Sequence, residues 1–277
     1  MAMTVVAMTP FTGHAAGRRK MIGVLGVGHF GSALVSGFVR SGVPARDILV
    51  SPRGRAAKLV VSDYGVDTAG SNEELVFRTE VVLLSVRPLD ACEAIASLPW
   101  RPDQLLISVC AGIPLKQLQS AAGQSAEIVR AMPMTSVAIN ASPTVMFPNS
   151  ARAAELLKRL GSVIPLENER QFEVATAISL AYALSQVLIG QTEQWARENE
   201  IGGSLGRVLA SAYFESGARL MAAERETPIE KLVSALATKG GLTEMALCSL
   251  RAGRFEETWR EAFDAGLNRV RSLCVKG

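Results

Sequence analysis

The sequence predicts an α/β chain in which a doubly wound parallel sheet is followed by an all-helical domain, and three observations carry that expectation. A glycine-rich turn joins an apolar strand to a helix at residues 21–31, MIGVLGVGHFG. Short apolar runs then alternate with helix-compatible segments as far as residue 166. From residue 167 the alternation stops, and apolar residues recur at spacings of three and four.

In the opening stretch, Ile22, Val24 and Leu25 form a buried-strand run, Gly26, Gly28 and Gly31 give G-x-G-x-x-G, and residues 32–40 continue as a helix. Gly26 permits a tight turn, Gly28 lets the backbone approach a pyrophosphate, and Gly31 allows close packing of helix on strand. Strand, turn and helix together mark a Rossmann-type dinucleotide-binding unit. Its candidate cofactor-binding residues are Gly26, Gly28, His29, Phe30 and Gly31.

A second strand at 48–50 runs into Ser51, Pro52, Arg53, Gly54 and Arg55. A site for NAD normally places Asp or Glu here to hold the ribose 2′-hydroxyl. A hydroxyl and two guanidinium groups suit a 2′-phosphate instead, so Ser51, Arg53 and Arg55 point to NADP(H). NAD(H) stands as the alternative if both arginines are ordinary solvated charges.

A helix at 55–64, a short strand near 66–67, a helix at 72–78 and a strand at 80–86 follow, stopped by Arg87 and Pro88. The second half repeats the scheme with a strand at 105–110, a helix at 114–121 and residues 127–130 leading into Ala131, Met132 and Pro133. Ligands bind such sheets beyond the carboxyl ends of the strands. That rule adds Val86, Arg87, Pro88, Cys110, Ala111 and Met134 to the cofactor cleft, with Cys110 read as packing and not as chemistry. A strand-like segment at 144–147, a helix at 151–160 and residues 162–166 complete a dinucleotide-binding domain over 21–166.

Residues 167–277 read as helices at 171–198, 205–225, 229–237 and 242–273. The first is apolar on nearly every face between Val174 and Ile189, which requires burial in a large core or against another subunit. A helical dimerisation and substrate domain is therefore expected, in a homodimer or higher homo-oligomer.

Composition bounds the rest. The chain has 277 residues, 48% of them hydrophobic, enough for a sizeable core. A net charge of +3 without a basic block argues against a nucleic-acid partner. The four cysteines form no C-x-x-C pair and there are two histidines, which excludes an obvious metal site or disulfide framework and fits a reducing cytoplasm. No run is read as reaching the ~20 apolar residues of a membrane span. Residues 1–20 are expected to be a disordered leader, or a cleaved targeting peptide ending near Arg18, Arg19 and Lys20.

With these segments in place, the chain resembles the pyrroline-5-carboxylate reductases over residues 21–273. The matching pieces are GVGHFG at 26–31, SVRP at 85–88, SVCAG at 108–112, RAMPMT at 130–135 and TKGGLT at 238–243. The resemblance implies NADPH-dependent hydride transfer to the C=N carbon of a cyclic imine acid, giving proline, in a dimer-based assembly. The two glycines of TKGGLT precede a helix whose free N–H groups suit a carboxylate, although a glycine loop joining two helices is the plainer reading. Lys239, Gly240, Gly241, Leu242 and Thr243 are thus the candidate substrate-binding residues, and the Thr243 hydroxyl is the candidate catalytic group beside the imine nitrogen.

The departures from the family are equally specific. Met-Pro-Asn-Thr-Pro becomes Met132, Pro133, Met134, Thr135, Ser136, and Ser-Pro-Gly-Gly-Thr-Thr becomes Thr238, Lys239, Gly240, Gly241, Leu242, Thr243. Gly-Ser-Ala-Pro-Ala-Tyr falls at YALSQV, 182–187, and is not recognisable. Lys239 either pairs a second acidic group or is a solvated loop residue, and Glu193 reads as structural. A retained cofactor half beside an altered substrate half leaves two alternatives: a reductase of a different imine or ketone, and a non-catalytic NADP(H)-binding protein.

Overall fold

The computed structural model describes residues 21–123 and 126–275, and the leader expected over 1–20 lies outside them. Eight strands form one sheet: β1 (Ile22–Leu25), β2 (Ile48–Val50), β3 (Asp67–Thr68), β4 (Val81–Leu84), β5 (Leu105–Ser108), β6 (Glu127–Met132), β7 (Thr144–Phe147) and β8 (Val163–Pro165), in the order β3-β2-β1-β4-β5-β6-β7-β8. The intervening helices are α1 (His29–Arg40), α2 (Arg55–Tyr64), α3 (Asn72–Arg78), α4 (Ala91–Ile95), α5 (Leu115–Ala121) and α6 (Ala151–Leu157).

Alternation along each strand sends side chains to opposite faces, and both faces are covered. Val24, Ile107 and Val129 pack on one side with Leu34 and Phe38 of α1. Leu25, Leu106 and Ile128 pack on the other with Leu75, Ile95 and Leu118. This is why β1, β4 and β5 read as continuous apolar runs.

One strand departs from the expected parallel sheet: β7 runs antiparallel to β6, with Arg130 opposite Phe147. The connection between them holds only the short 3-10 turn Thr135–Ile139, and a parallel return needs a longer crossover. With α6 as its crossover, β8 lies parallel to β7. The strands expected at 80–86 and 105–110 are shorter, since their last residues leave the sheet to form the turns at the cleft.

The chain divides into two compact units, one running to Phe172 and taking in the chain from Leu273, the other Glu173–Ser272. The first extends past the expected end at 166 because Glu169 and Phe172 both bind Arg130 of β6.

The second unit holds six helices among the described residues where four were expected. They are α7 (Glu169–Ile178), whose start belongs to the first unit, α8 (Leu180–Glu198), α9 (Leu205–Ala223), α10 (Ile229–Leu236), α11 (Leu242–Ala252) and α12 (Phe255–Val275), whose end from Leu273 belongs to the first unit. The segment at 242–273 is broken at Gly253 and Arg254, the latter at φ 55, a left-handed conformation that a right-handed helix cannot contain. Ser179 separates α7 from α8, its hydroxyl donating to the Thr176 carbonyl at 2.7 Å.

Glu193 is structural, as expected: it accepts Arg207 Nε at 2.7 Å and Arg197 Nη2 at 3.2 Å, tying α8 to α9. Residues Glu169–Glu198 carry a window of mean hydropathy 1.6, long and apolar enough to cross a membrane by length and composition, which corrects the expectation that no such run exists. Only 17% of that window is buried within the chain, so the all-round burial its pattern demands is not supplied by the described residues.

Candidate functional site

The glycine turn is held by contacts that admit no side chain at two of its positions. Gly26 has φ 94, and a Cβ there would lie 2.8 Å from the Val86 backbone nitrogen. A Cβ on Gly31 would lie 2.4 Å from the Gly26 carbonyl oxygen, so helix α1 reaches the turn only because this residue is glycine. Gly28, the N-cap of α1, faces open space, with nothing within 4 Å of where a Cβ would stand. No acidic residue occupies the first turn of α1, where His29 is exposed and Phe30 packs against the core. An open backbone face at a helix N-terminus with no acid in its own first turn fits a pyrophosphate.

Ser51, at the end of β2 and 5% exposed, accepts the Gly26 N–H at 3.0 Å, and the Ser85 hydroxyl donates to the Gly26 carbonyl. The adjoining cleft has a volume of about 450 Å³ and is lined by Gly26, Ser51, Arg53, Val86, Glu73 and Asp90 among others. Four of the residues expected from the sequence thus converge on it. Arg55 is exposed at the first turn of α2 and is not part of this lining, and Arg87 is turned into an ion pair with Asp90 at 2.7 Å. Pro88 follows it in a 3-10 turn. Cys110, Ala111 and Met134 lie at the ends of β5 and beyond β6, outside this cavity, with the Met134 N–H donated to Ser142 Oγ at 2.8 Å.

The sequence reading missed the carboxylates on the cleft, Glu73, Asp90 and Glu93. Glu73 follows Ser71, the N-cap of α3, and reads from sequence only as an acidic residue complementing a helix dipole. A hydrogen bond from Ser71, its own backbone N–H and the Arg53 charge hold its carboxyl below the usual range, against the opposing effect of burial. Arg53 is therefore already facing one negative group.

Cys110 is buried, its thiol donating to the carbonyls of Val86 at 3.3 Å and Leu84 at 3.5 Å. Burial pushes the thiol up to about 12. It is an uncharged packing group at neutral pH, in keeping with its reading from the sequence.

In the second unit, the TKGGLT segment forms a closed turn ahead of α11. Gly240, at φ 71, donates its N–H to Glu244 Oε2 at 2.6 Å, and Gly241 donates to the Thr238 carbonyl at 2.8 Å. Two of the amides expected to be free are thus engaged within the loop. Leu242 and Thr243 open the helix, exposed, and as its first-turn amides they have no acceptor inside it. Lys239 is exposed. Glu244 was not anticipated, although an acid three residues after the N-cap, reaching back to an amide before the helix, is a known capping signal.

Comparison with known proteins bears on both units. Residues 21–112 match the family described as NADP oxidoreductase coenzyme F420-dependent, and residues 169–273 match the one described as pyrroline-5-carboxylate reductase dimerisation. The pyrroline-5-carboxylate reductase of Pseudomonas aeruginosa is 29% identical over 91% of this chain and 96% of its own length. Among solved structures, Plasmodium falciparum pyrroline carboxylate reductase with NADP bound aligns at a TM-score of 0.82 over 93% of this chain and 99% of that one, at 22% identity, a likeness of fold. Pyrroline-5-carboxylate reductase 2 of Bacillus subtilis is 30% identical over 86% of this chain and 89% of its own length, and the chain belongs to the pyrroline-5-carboxylate reductase family.

Proposed function

We propose that this chain reduces pyrroline-5-carboxylate to proline with NADPH. The observation that carries the reading is a glycine turn that leaves an open, acid-free helix end beside Arg53, in a chain whose relatives named for this activity match it along nearly their whole length.

Bound NADPH supplies the hydride, and the protein contributes position and charge. The first amides of α1 would hold the pyrophosphate on the face left open by Gly28. Arg53 is the residue that would hold the 2′-phosphate, in place of its present neighbour Glu73. The amides of Leu242 and Thr243 take the substrate carboxylate at the positive end of α11. The Thr243 hydroxyl would stand beside the imine nitrogen of a substrate so held and favour its protonated form. Val86 and the uncharged Cys110 keep the strand ends apolar, excluding water from the reacting carbon.

The working form is a homodimer or a larger homo-oligomer, supported by the dimerisation-family match over 169–273 and by the uncovered apolar surface of α7 and α8. That surface is read as an interface between copies and not as a membrane anchor. The free thiols Cys92, Cys110 and Cys248 support a cytoplasmic location.

A second reading, a reductase of the same mechanism acting on another imine, is favoured by the Glu244 carboxylate on the Gly240 amide, a negative charge where an acid substrate would arrive. A panel of cyclic imines with five and six ring atoms, each with and without a carboxylate, followed by NADPH absorbance, separates the two. Turnover of the five-membered acid supports the first reading, and turnover of uncharged imines alone supports the second. NADPH binding with no turnover of any imine refutes both.

A further inference from the structure

Arg130 lies on β6 with 1% of its surface exposed. Its Nη1 donates to Glu169 Oε1, and its guanidinium carbon stands 4.5 Å from the centre of the Phe172 ring. Its Nε and Nη2 are buried without a hydrogen-bond partner. Glu169 opens α7, and the same Oε1 accepts the N–H of Leu115, the first residue of α5, at 2.7 Å.

One carboxylate oxygen therefore joins three segments far apart in sequence, and two of them adjoin strand-end turns. Leu115 follows the Cys110–Gly112 turn, and Arg130 precedes the Met132–Met134 turn. Burying a guanidinium that satisfies only part of its donor set is costly, and a well-packed apolar pair in the same space is commonly as stable or more so. Stability alone does not account for this pair.

We propose that Arg130 and Glu169 are positioning residues for the reduction: their ion pair fixes the turn after β5 against the turn after β6, and so sets the geometry in which the reacting carbons meet. The proposal rests on the reductase reading above. Neither residue touches the reacting atoms; each acts through the turn it anchors. A misplacement on the order of 1 Å at such a site lowers turnover by about a hundredfold, which gives two anchored turns their value.

The test uses the full chain with three variants: Glu169→Gln, which keeps shape and loses charge, Arg130→Lys, which keeps charge and loses the planar fork, and the apolar pair Arg130→Met with Glu169→Leu. Thermal midpoint, NADPH dissociation constant, kcat and KM are measured for each, with amide exchange over residues 112–118. Glu169→Gln is expected to lower kcat about tenfold or more while the NADPH constant moves by less than about threefold, and to speed exchange at Leu115. Arg130→Lys is expected to fall between parent and Glu169→Gln in kcat. The apolar pair is expected to regain the thermal midpoint without regaining kcat, a split that a merely structural role does not produce. Recovery of kcat together with the midpoint, or kcat of Glu169→Gln within twofold of the parent, overturns the proposal. A parent that reduces no imine at all overturns the functional reading instead, a result read before any variant is compared.

Discussion

The Glu244 carboxylate accepts the Gly240 N–H at 2.6 Å, so the turn ahead of α11 is closed by a side chain of the helix it precedes. A negative charge already sits at the positive end of that helix, and an incoming carboxylate has to meet it. Glu244→Ala is expected to lower KM for an imine acid about two- to fivefold, corresponding to ~0.5–1 kcal/mol, with kcat little changed. Steady-state kinetics decides this. A higher KM would mean that Glu244 shapes the loop the substrate needs.

Thr243→Ala leaves helix and loop intact and removes one hydroxyl. A fall in kcat/KM of about ten- to a hundredfold is expected, the value of one hydrogen bond to a charged group. Unchanged kcat/KM places the imine nitrogen elsewhere. Gly241 is a poor probe of the same question, since a Cβ there would lie 2.3 Å from Thr238 Oγ1 and would push on the loop itself.

Arg53 lines the cleft opposite Glu73. Arg53→Glu removes the phosphate partner and adds a second like charge beside Glu73, so the NADPH dissociation constant is expected to rise about ten- to a hundredfold, with a much smaller change for NADH. Fluorescence titration with both cofactors gives the ratio, and equal losses would contradict the 2′-phosphate assignment.

The glycines of the turn offer a paired test. Gly28→Ala adds a methyl group to open space, so the thermal midpoint should hold while cofactor affinity falls, because the methyl stands where the pyrophosphate approaches. Gly31→Ala forces a contact of 2.4 Å on the Gly26 carbonyl and should lower stability by about 1–3 kcal/mol as well as affinity. Identical behaviour of the two variants in thermal melts and titration would refute this division of roles.

Cys110 gives a pH dependence with a definite sign. Its thiol is raised from an ordinary value of 9.0 to about 12 by burial, so above pH 9 the unfolded chain loses this proton before the folded one does. The contribution to stability is fully present below pH 9 and is lost as pH rises toward 12, by at most ~1.4 kcal/mol per pH unit. Cys110→Ala should therefore show a shallower loss of unfolding free energy than the parent between pH 9 and about 10.5. Parallel curves in denaturant titrations would show that the thiol ionises freely in the folded protein.

Much of this architecture is local and so was legible in the chain. The strand at Ile22, the turn at Gly26 and the helix to Arg40 are contiguous and carry their own pattern, although the hydroxyls of Ser51 and Ser85 hold the turn from elsewhere in the chain. Helices α2 and α3 match residue for residue the expected segments, because each begins and ends on a signal it carries itself, such as the left-handed Gly65 after α2 and the Ser71 cap of α3. The break at Gly253 and Arg254 was missed because apolar spacing runs through it, and a single left-handed residue leaves no periodic trace.

The sequence by itself determined the alternation of strands and helices and the glycine turn, since each depends on residues a few positions apart, and it offered Arg53 as a basic residue at the end of the next strand. The tertiary structure decided what depends on distant partners. The antiparallel pairing of β7 on β6, with Arg130 opposite Phe147, is one such feature. Gly240 and Arg87 are engaged by near neighbours, Glu244 and Asp90, four and three residues away, and there it is the rotamer adopted in the fold, not distance along the chain, that decides the contact. The union of Leu115, Arg130 and Glu169 through one oxygen joins positions up to 54 residues apart, which no local pattern encodes. A hydrogen bond needs its two atoms within about 3 Å, and for residues so far apart only the folded backbone fixes that distance.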